Sequence, residues 1–111
     1  MNRVFDHADL VITPAAGAEA PMLAEVTDRG LLQSFRMSNA MAWTSPWNTI
    51  DQPAASVPAG WSAHGLPLAV QLCARRGDEV TLLRVAAQLE QARPWRQRRP
   101  PGAGSLPAPP R

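Results

Sequence analysis

The side chains able to do chemistry in this chain of 111 residues are six serines, two histidines, one cysteine and nine acids. Their spacing assembles no catalyst. Ser34, Ser38, Ser45, Ser56, Ser62 and Ser105 all lie outside a Gly-x-Ser-x-Gly elbow, and none sits in a Gly/Ser-rich loop that could present backbone N–H groups to an oxyanion. Cap or loop roles account for them. Cys73 is the lone cysteine, which excludes an intramolecular disulfide. Its apolar, alternating surroundings predict a buried, inert thiol. His7 and His64 are remote from it in sequence. Asp6/Asp9 reads as a helix-end pair and Asp78/Glu79 as a helix start. No Cys/His/Asp cluster has metal-ligand spacing, and no glycine loop matches a phosphate cradle. The chain also contains no lysine. A buried lysine of depressed pKa can act as a general base at neutral pH, whereas an arginine stays protonated.

The elements that would position these residues follow from apolar period and turn chemistry. Val4 to His7 reads as the end of a helix. Asp9-Leu10-Val11-Ile12-Thr13 is apolar on both faces and predicts a buried interior strand, stopped by Pro14. Ala15 to Val26 is Ala-rich, broken by Gly17 and Pro21, and reads as a loop. Thr27 or Asp28 can cap a helix through Leu31, Leu32, Phe35 and Met41. Trp43 to Gln52 holds a short helix or turn, opening at Ser45 with Pro46 in its first position. Ala54 to Val57 predicts a strand ended by Pro58 and Gly60, and Ala63-His64-Gly65 supplies a hairpin turn. Leu66, Leu68, Val70 and Leu72 then alternate with Pro67, Ala69, Gln71 and Cys73. Both faces of this strand are nearly apolar, so layers are expected on both sides of its sheet. Asp78 caps a helix whose Leu82, Val85, Ala86 and Leu89 share one face, and Arg93-Pro94 ends it near Ala92.

Composition sets the margin. Leu, Val, Ile and Phe supply 22 residues, about the least an independent globule carries. Ordering a residue costs roughly 1–2 kcal/mol of backbone entropy, so a thin core predicts that burial is borrowed from elsewhere. Residues 1–90 hold six Arg against nine acids; residues 91–111 hold five Arg and no acid. The basic balance is therefore a property of the tail, and a solvated tail is favoured over a nucleic-acid arm. No segment is long enough to span a bilayer, and Asp6, His7 and Asp9 stand where a secretory core would be apolar, so a cytoplasmic location is expected.

The order of the pieces resembles the amidase signature family. Asp9-Leu10-Val11-Ile12-Thr13-Pro14 is similar to its late core strand, and Thr44-x-Pro46-x-Asn48 with Gln52-Pro53-Ala54 to its Asn-Leu-Thr-Gly-x-Pro-Ala stretch. Ser56-Val57-Pro58-Ala59-Gly60 and Gly65-Leu66-Pro67-Leu68-Ala69-Val70-Gln71-Leu72 resemble its closing hairpin; Asp78 to Leu89 and Arg93-Pro94-Trp95 resemble its last helix and exit. The likeness covers roughly residues 5–100. Asp51 stands where the family usually has Gly, a substitution that matters if the position needs a positive φ. Ala69 also replaces a usual Gly.

The resemblance implies an α/β fold: a fragment of the mixed-sheet amidase signature fold, with about three strands and flanking helices. Residues 1–99 would form the C-terminal portion of the domain and residues 100–111 a Pro/Gly-rich disordered tail. It implies hydrolysis of carbon–nitrogen bonds by a serine, a relaying second serine and a lysine base, all lying before the point where this chain begins. Alone, the chain is expected to be inactive, with a small-molecule amide as substrate only in a full-length context and no cofactor or metal. Trp43, Trp47 and Asn48, preceded by Met37 and Met41, can wall an apolar substrate cleft, although core packing is the commoner role for such residues. The alternative is a non-catalytic interaction module that binds an N-terminal amidase half or a second copy of itself. Nucleic acid, held through the Arg-rich tail, is the least favoured partner, and no membrane partner is expected.

Overall fold

The computed structural model describes residues 2–27, 30 and 42–100. Three strands form one antiparallel sheet: β1 (Leu10–Pro14), β2 (Ala54–Trp61) and β3 (Pro67–Ala74), in the order β1-β3-β2. The most apolar strand takes the centre. The helices are α1 (Leu23–Thr27), α2 (Ser45–Thr49) and α3 (Glu79–Ala92), after a 3-10 turn over Asn2–Asp6.

Both faces of the second half of β3, Gln71 to Ala74, are covered, as its two apolar faces require. On one side α3 lays Leu82 against Val57, Leu72 and Ala74, with Leu10, Ala55, Val70, Val85, Ala86, Leu89 and Trp95 around them. On the other side Phe5 and Trp47 cover Cys73, flanked by Val11 and Ile50. Asp78 caps α3 by accepting from the Thr81 N–H at 3.3 Å, and Arg93 N–H closes its end on the Leu89 carbonyl at 2.9 Å.

Register explains where the strand expectations went wrong. The Ala15 N–H donates to the Ala69 carbonyl at 3.1 Å, continuing the pairing that sets Thr13 opposite Gln71 and Val11 opposite Cys73. With a period of two, Leu10, Ile12 and Pro14 direct their backbone groups away from β3. Pro14 is thus the last residue of β1 and forfeits no ladder bond. The Ala74 N–H likewise donates to the Pro53 carbonyl at 3.1 Å, which puts Pro58 on the outward side of β2. Pro58 and Gly60 therefore do not end β2: a bulge between them shifts the register and the strand continues to Trp61. β1 is also not interior among the described residues; it is an edge.

The β2–β3 turn is locked by Ser62, whose Oγ accepts from the N–H groups of His64 and Leu66, both at 3.2 Å, with Gly65 at φ +78°. Leu23–Thr27 is helical where a loop was expected, because Glu25 reaches back to accept from the Met22 N–H at 3.1 Å. Thr27, offered as a cap for the next helix, is instead the last residue of α1, its hydroxyl donating to the Leu23 and Ala24 carbonyls at 3.2 and 3.1 Å; Asp28, residues 31–41 of that expected helix and the tail from 101 onward fall outside the described residues.

Candidate functional site

The segment bearing Trp43, Trp47 and Asn48 is held by α2 and its C-terminal turn. Pro46 sits in the first turn of α2. The Gln52 N–H donates to the Trp47 carbonyl at 3.2 Å and the Asp51 N–H to the Asn48 carbonyl at 3.4 Å. These two bonds are those of a Schellman motif, with Asp51 at the position that adopts the left-handed conformation, φ +56°. Glycine is the usual occupant there because it has no Cβ to crowd the following carbonyl. Asp51 compensates in part through Arg76, whose Nη2 donates to the Asp51 carboxylate and whose Nε reaches the Asp51 carbonyl at 3.4 Å.

This turn aims Trp47 into the sheet. Trp47 is only 5% exposed and meets Phe5 edge-on at 6.3 Å between ring centroids, against Cys73. Burial pushes the Cys73 thiol up to about 11, so it is held protonated at neutral pH. Trp43 is 49% exposed, and Asn48 is exposed on the outer side of α2. The three expected site residues are thus split: one indole in the core, one indole and one carboxamide facing outward.

Of the concavities among the described residues, two lie at opposite ends of the sheet. A polar cleft of about 550 Å³ lies at the Ala74 end, lined by Phe5, Asp6, Gln52, Arg75 and Arg76. Its guanidinium groups are engaged: Arg75 donates to the Phe5 carbonyl, to the Ala8 carbonyl at 3.4 Å, and pairs with Asp9 at 3.5 Å, while Arg76 is on Asp51. At the other end, an apolar groove of about 760 Å³ runs between β1, residues 15–21 and the start of β3, with Ile12, Pro14, Leu68 and Val70 among its walls. Its rim is pinned by Glu19, whose Oε2 lies 3.0 Å from His64 Nδ1. The His64 ring, and next the Ser62 hydroxyl, donate to this carboxylate and hold it below its ordinary range.

A serine, a histidine and a glutamate meet here, but not as a triad. Ser62 and His64 both address Glu19, and Ser62 Oγ also accepts two turn N–H groups. Glu19, and not the His64 ring, receives the serine hydroxyl, so the serine–histidine–acid relay of a triad is not assembled. Neither this link nor the Arg75 and Arg76 clips were visible in the sequence, since Glu19 and His64 are 45 residues apart and carry no motif. Among the described residues no group of three His, Cys, Asp or Glu could hold a metal ion, and no helix is long and apolar enough to cross a membrane.

The geometry supplies a sheet, its two covers and a framed loop, which is the resembled C-terminal architecture. The profile of the Amidase family matches residues 1–83. This chain belongs to the amidase family. Among amidases it is 45% identical over 100 residues to the 6-aminohexanoate-cyclic-dimer hydrolase of Paenarthrobacter ureafaciens, covering 83% of this chain and 20% of that protein. The enzyme of the same name from Pseudomonas sp. strain NK87 is 43% identical over 100 residues, with the same coverage. A solved structure of 6-aminohexanoate cyclic dimer hydrolase superposes with a TM-score of 0.77 at 38% identity, over 89% of this chain and 22% of that one. The chain spans about a fifth of the length of the amidases it matches.

Proposed function

We propose that this amidase chain is the C-terminal part of an amide hydrolase, and that it contributes scaffold and pocket wall while the reacting groups reside in the rest of the enzyme. The observation that carries this reading is the structural likeness at 38% identity to one fifth of an amide hydrolase. The absence of lysine from all 111 residues supports it, because the family's base has no equivalent here. The three-layer arrangement fits a scaffold role: α3 and the Phe5–Trp47 layer hold β3 rigid, and rigid elements position a site better than loops.

Within that enzyme Trp43 and Asn48 face the substrate, and buried Trp47 anchors their segment. The substrate class is a carbon–nitrogen amide, with the cyclic amide dimer hydrolysed by the relatives as the first compound to assay. The test is a chimera in which residues 1–99 replace the matching stretch of the Paenarthrobacter enzyme. Retained hydrolysis of the cyclic dimer, with none by the 111-residue chain alone, is the expected result. A soluble, folded chimera devoid of activity on any amide would refute the scaffold reading. In the active chimera, Trp43→Ala should change the ratio of kcat/KM between two amides and leave the melting temperature within about 2 °C, as a surface substitution does.

A further inference from the structure

One wall of the apolar groove has little to hold it. The chain leaves β1 after the Ala15 N–H donates to the Ala69 carbonyl at 3.1 Å, and it is next bonded at Met22, whose N–H donates to the Glu25 carboxylate at 3.1 Å. Between these points, residues 16–21 make no backbone hydrogen bond among the described residues. Ala16, Gly17, Ala18, Ala20 and Pro21 are exposed, and side chains this small bury little apolar area against the sheet. Glu19 is the exception. It is half-buried, with its Oε2 3.0 Å from His64 Nδ1, and it accepts from the Ser62 hydroxyl as well. Ser62 is itself fixed, its Oγ accepting from the His64 and Leu66 N–H groups at 3.2 Å. A braced hairpin turn thus holds the segment at its middle.

We propose that residues 15–21 are a strap clasped at Glu19 by His64 and Ser62, and that acid releases the clasp and loosens this wall of the apolar groove. The inference goes beyond the scaffold reading and stands whether or not that reading holds. Hydrogen bonds to an ionised carboxylate are roughly twice as strong as neutral ones, so the charge on Glu19 sets the strength of the clasp. The His64 ring and the Ser62 hydroxyl both favour the ionised form and hold Glu19 below its ordinary 4.5. The clasp is therefore closed above pH 4.5 and lost as pH falls through the lowered value. Protonation of the imidazole while Glu19 is still ionised turns a neutral donor into a cationic one and tightens it. Among the described residues no other charge lies on the clasp. β1, β2 and β3 carry no charged side chain, and Cys73 lies under Phe5 and Trp47. Glu25 is turned to the Met22 N–H, Arg93 to the Ala59 carbonyl and Arg98 to the Trp61 ring. The groove follows the strap because Ala16, Ala18, Ala20 and Pro21 are part of its wall, with Ile12 and Leu68 on the sheet side.

The test measures backbone order by nitrogen-15 relaxation in the full 111-residue chain at pH 7 and at about pH 3.5, with circular dichroism to follow the sheet. At pH 7 residues 16–20 should be as rigid as the strands, with order parameters of about 0.85. In acid they should fall below about 0.6 while Val11, Thr13 and Leu72 keep theirs. Glu19→Gln, which imitates the protonated acid, should give the low value at pH 7 and remove the dependence on pH. His64→Ala should loosen the same residues at pH 7. Glu90→Gln, which removes an exposed carboxylate from α3, should change nothing in the strap. The methyl resonances of Ile12 and Leu68 should shift with the Glu19 titration, as the groove wall moves. Should acid dissolve the sheet itself, Glu19→Gln at pH 7 decides. Low order for residues 16–20 in the unaltered chain at pH 7 overturns the proposal, because nothing then clasps them. A strap that stays rigid in Glu19→Gln, or that keeps its dependence on pH in that variant, overturns it equally.

Discussion

Asp51 allows the backbone and the ion pair to be weighed against each other. Its φ of +56° places Cβ against the following carbonyl, which costs an L-residue about 1–2 kcal/mol, with Asp near the lower figure because its short polar side chain tolerates the region. The offsetting bond to Arg76 is between side chains 84% and 68% exposed, a setting in which an ion pair contributes about 0–1 kcal/mol. Asp51→Gly and Asp51→Ala both delete the carboxylate, and they differ in whether a Cβ remains at a position that completes the α2 Schellman turn. The glycine variant should therefore exceed the alanine variant by about 1–2 kcal/mol and be no less stable than the parent, the relief of strain matching the lost pair. Urea denaturation at constant m reads this directly: with m of about 2 kcal/mol per molar, the two midpoints should lie about 0.5–1 M apart. Arg76→Ala is the control, expected within about 1 kcal/mol of the parent. Equal destabilisation by Gly and Ala, with Arg76→Ala matching both, would refute the argument. The ion pair would then outweigh the backbone.

Other consequences follow from the packing and the titrating groups. Leu82→Ala, which empties the contact between α3 and the Val57–Leu72–Ala74 cluster, should cost about 2–5 kcal/mol in urea denaturation. Native Cys73 should resist a disulfide reagent at pH 8 and react once the chain is unfolded; its pKa is raised from 9.0 to about 11, so its stabilising effect is complete below pH 9 and fades as pH rises from 9 to 11. Glu19 is depressed by His64 and Ser62, so its contribution is present above pH 4.5 and lost as acid titrates it; NMR should show the His64 and Leu66 amides shifting with that titration, and Glu19→Gln should abolish the shift. Arg75→Ala, by freeing the Phe5 and Ala8 carbonyls, should cost about 1–2 kcal/mol and admit a protease first within residues 2–9.

What the sequence disclosed, and what it hid, divides along the difference between local and paired information. The α3 cap at Asp78, the α2 start beside Pro46 and the hairpin turn at His64-Gly65 are decided by a few neighbouring residues, and the structure has all three. The need for positive φ at Asp51 was likewise readable from the glycine that the family keeps there. Proline is the instructive case. Pro14 and Pro58 were both expected to end their strands, since a proline cannot donate to a ladder; β1 does end at Pro14, whereas β2 runs on through Pro58 to Trp61. That rule applies only where the N–H would have pointed at a partner, and which way it points depends on the pairing with β3. A single strand read alone does not contain its register.

The same reasoning reaches the site. Trp43 and Trp47 look alike in sequence, four residues apart, yet one is half exposed and the other nearly fully buried. Four residues is about one helical turn, which would put both on one side of a continuous helix. They separate because α2 begins only at Ser45, so Trp43 lies before the helix and escapes its period. The prolines on the outward sides of β1 and β2 carry a related meaning. A proline on a solvent-facing edge blocks pairing, and Pro58 does so where the returning Arg93 segment already covers the strand. Pro14 instead sits at the last residue of β1, leaving Leu10 and Ile12 open ahead of it.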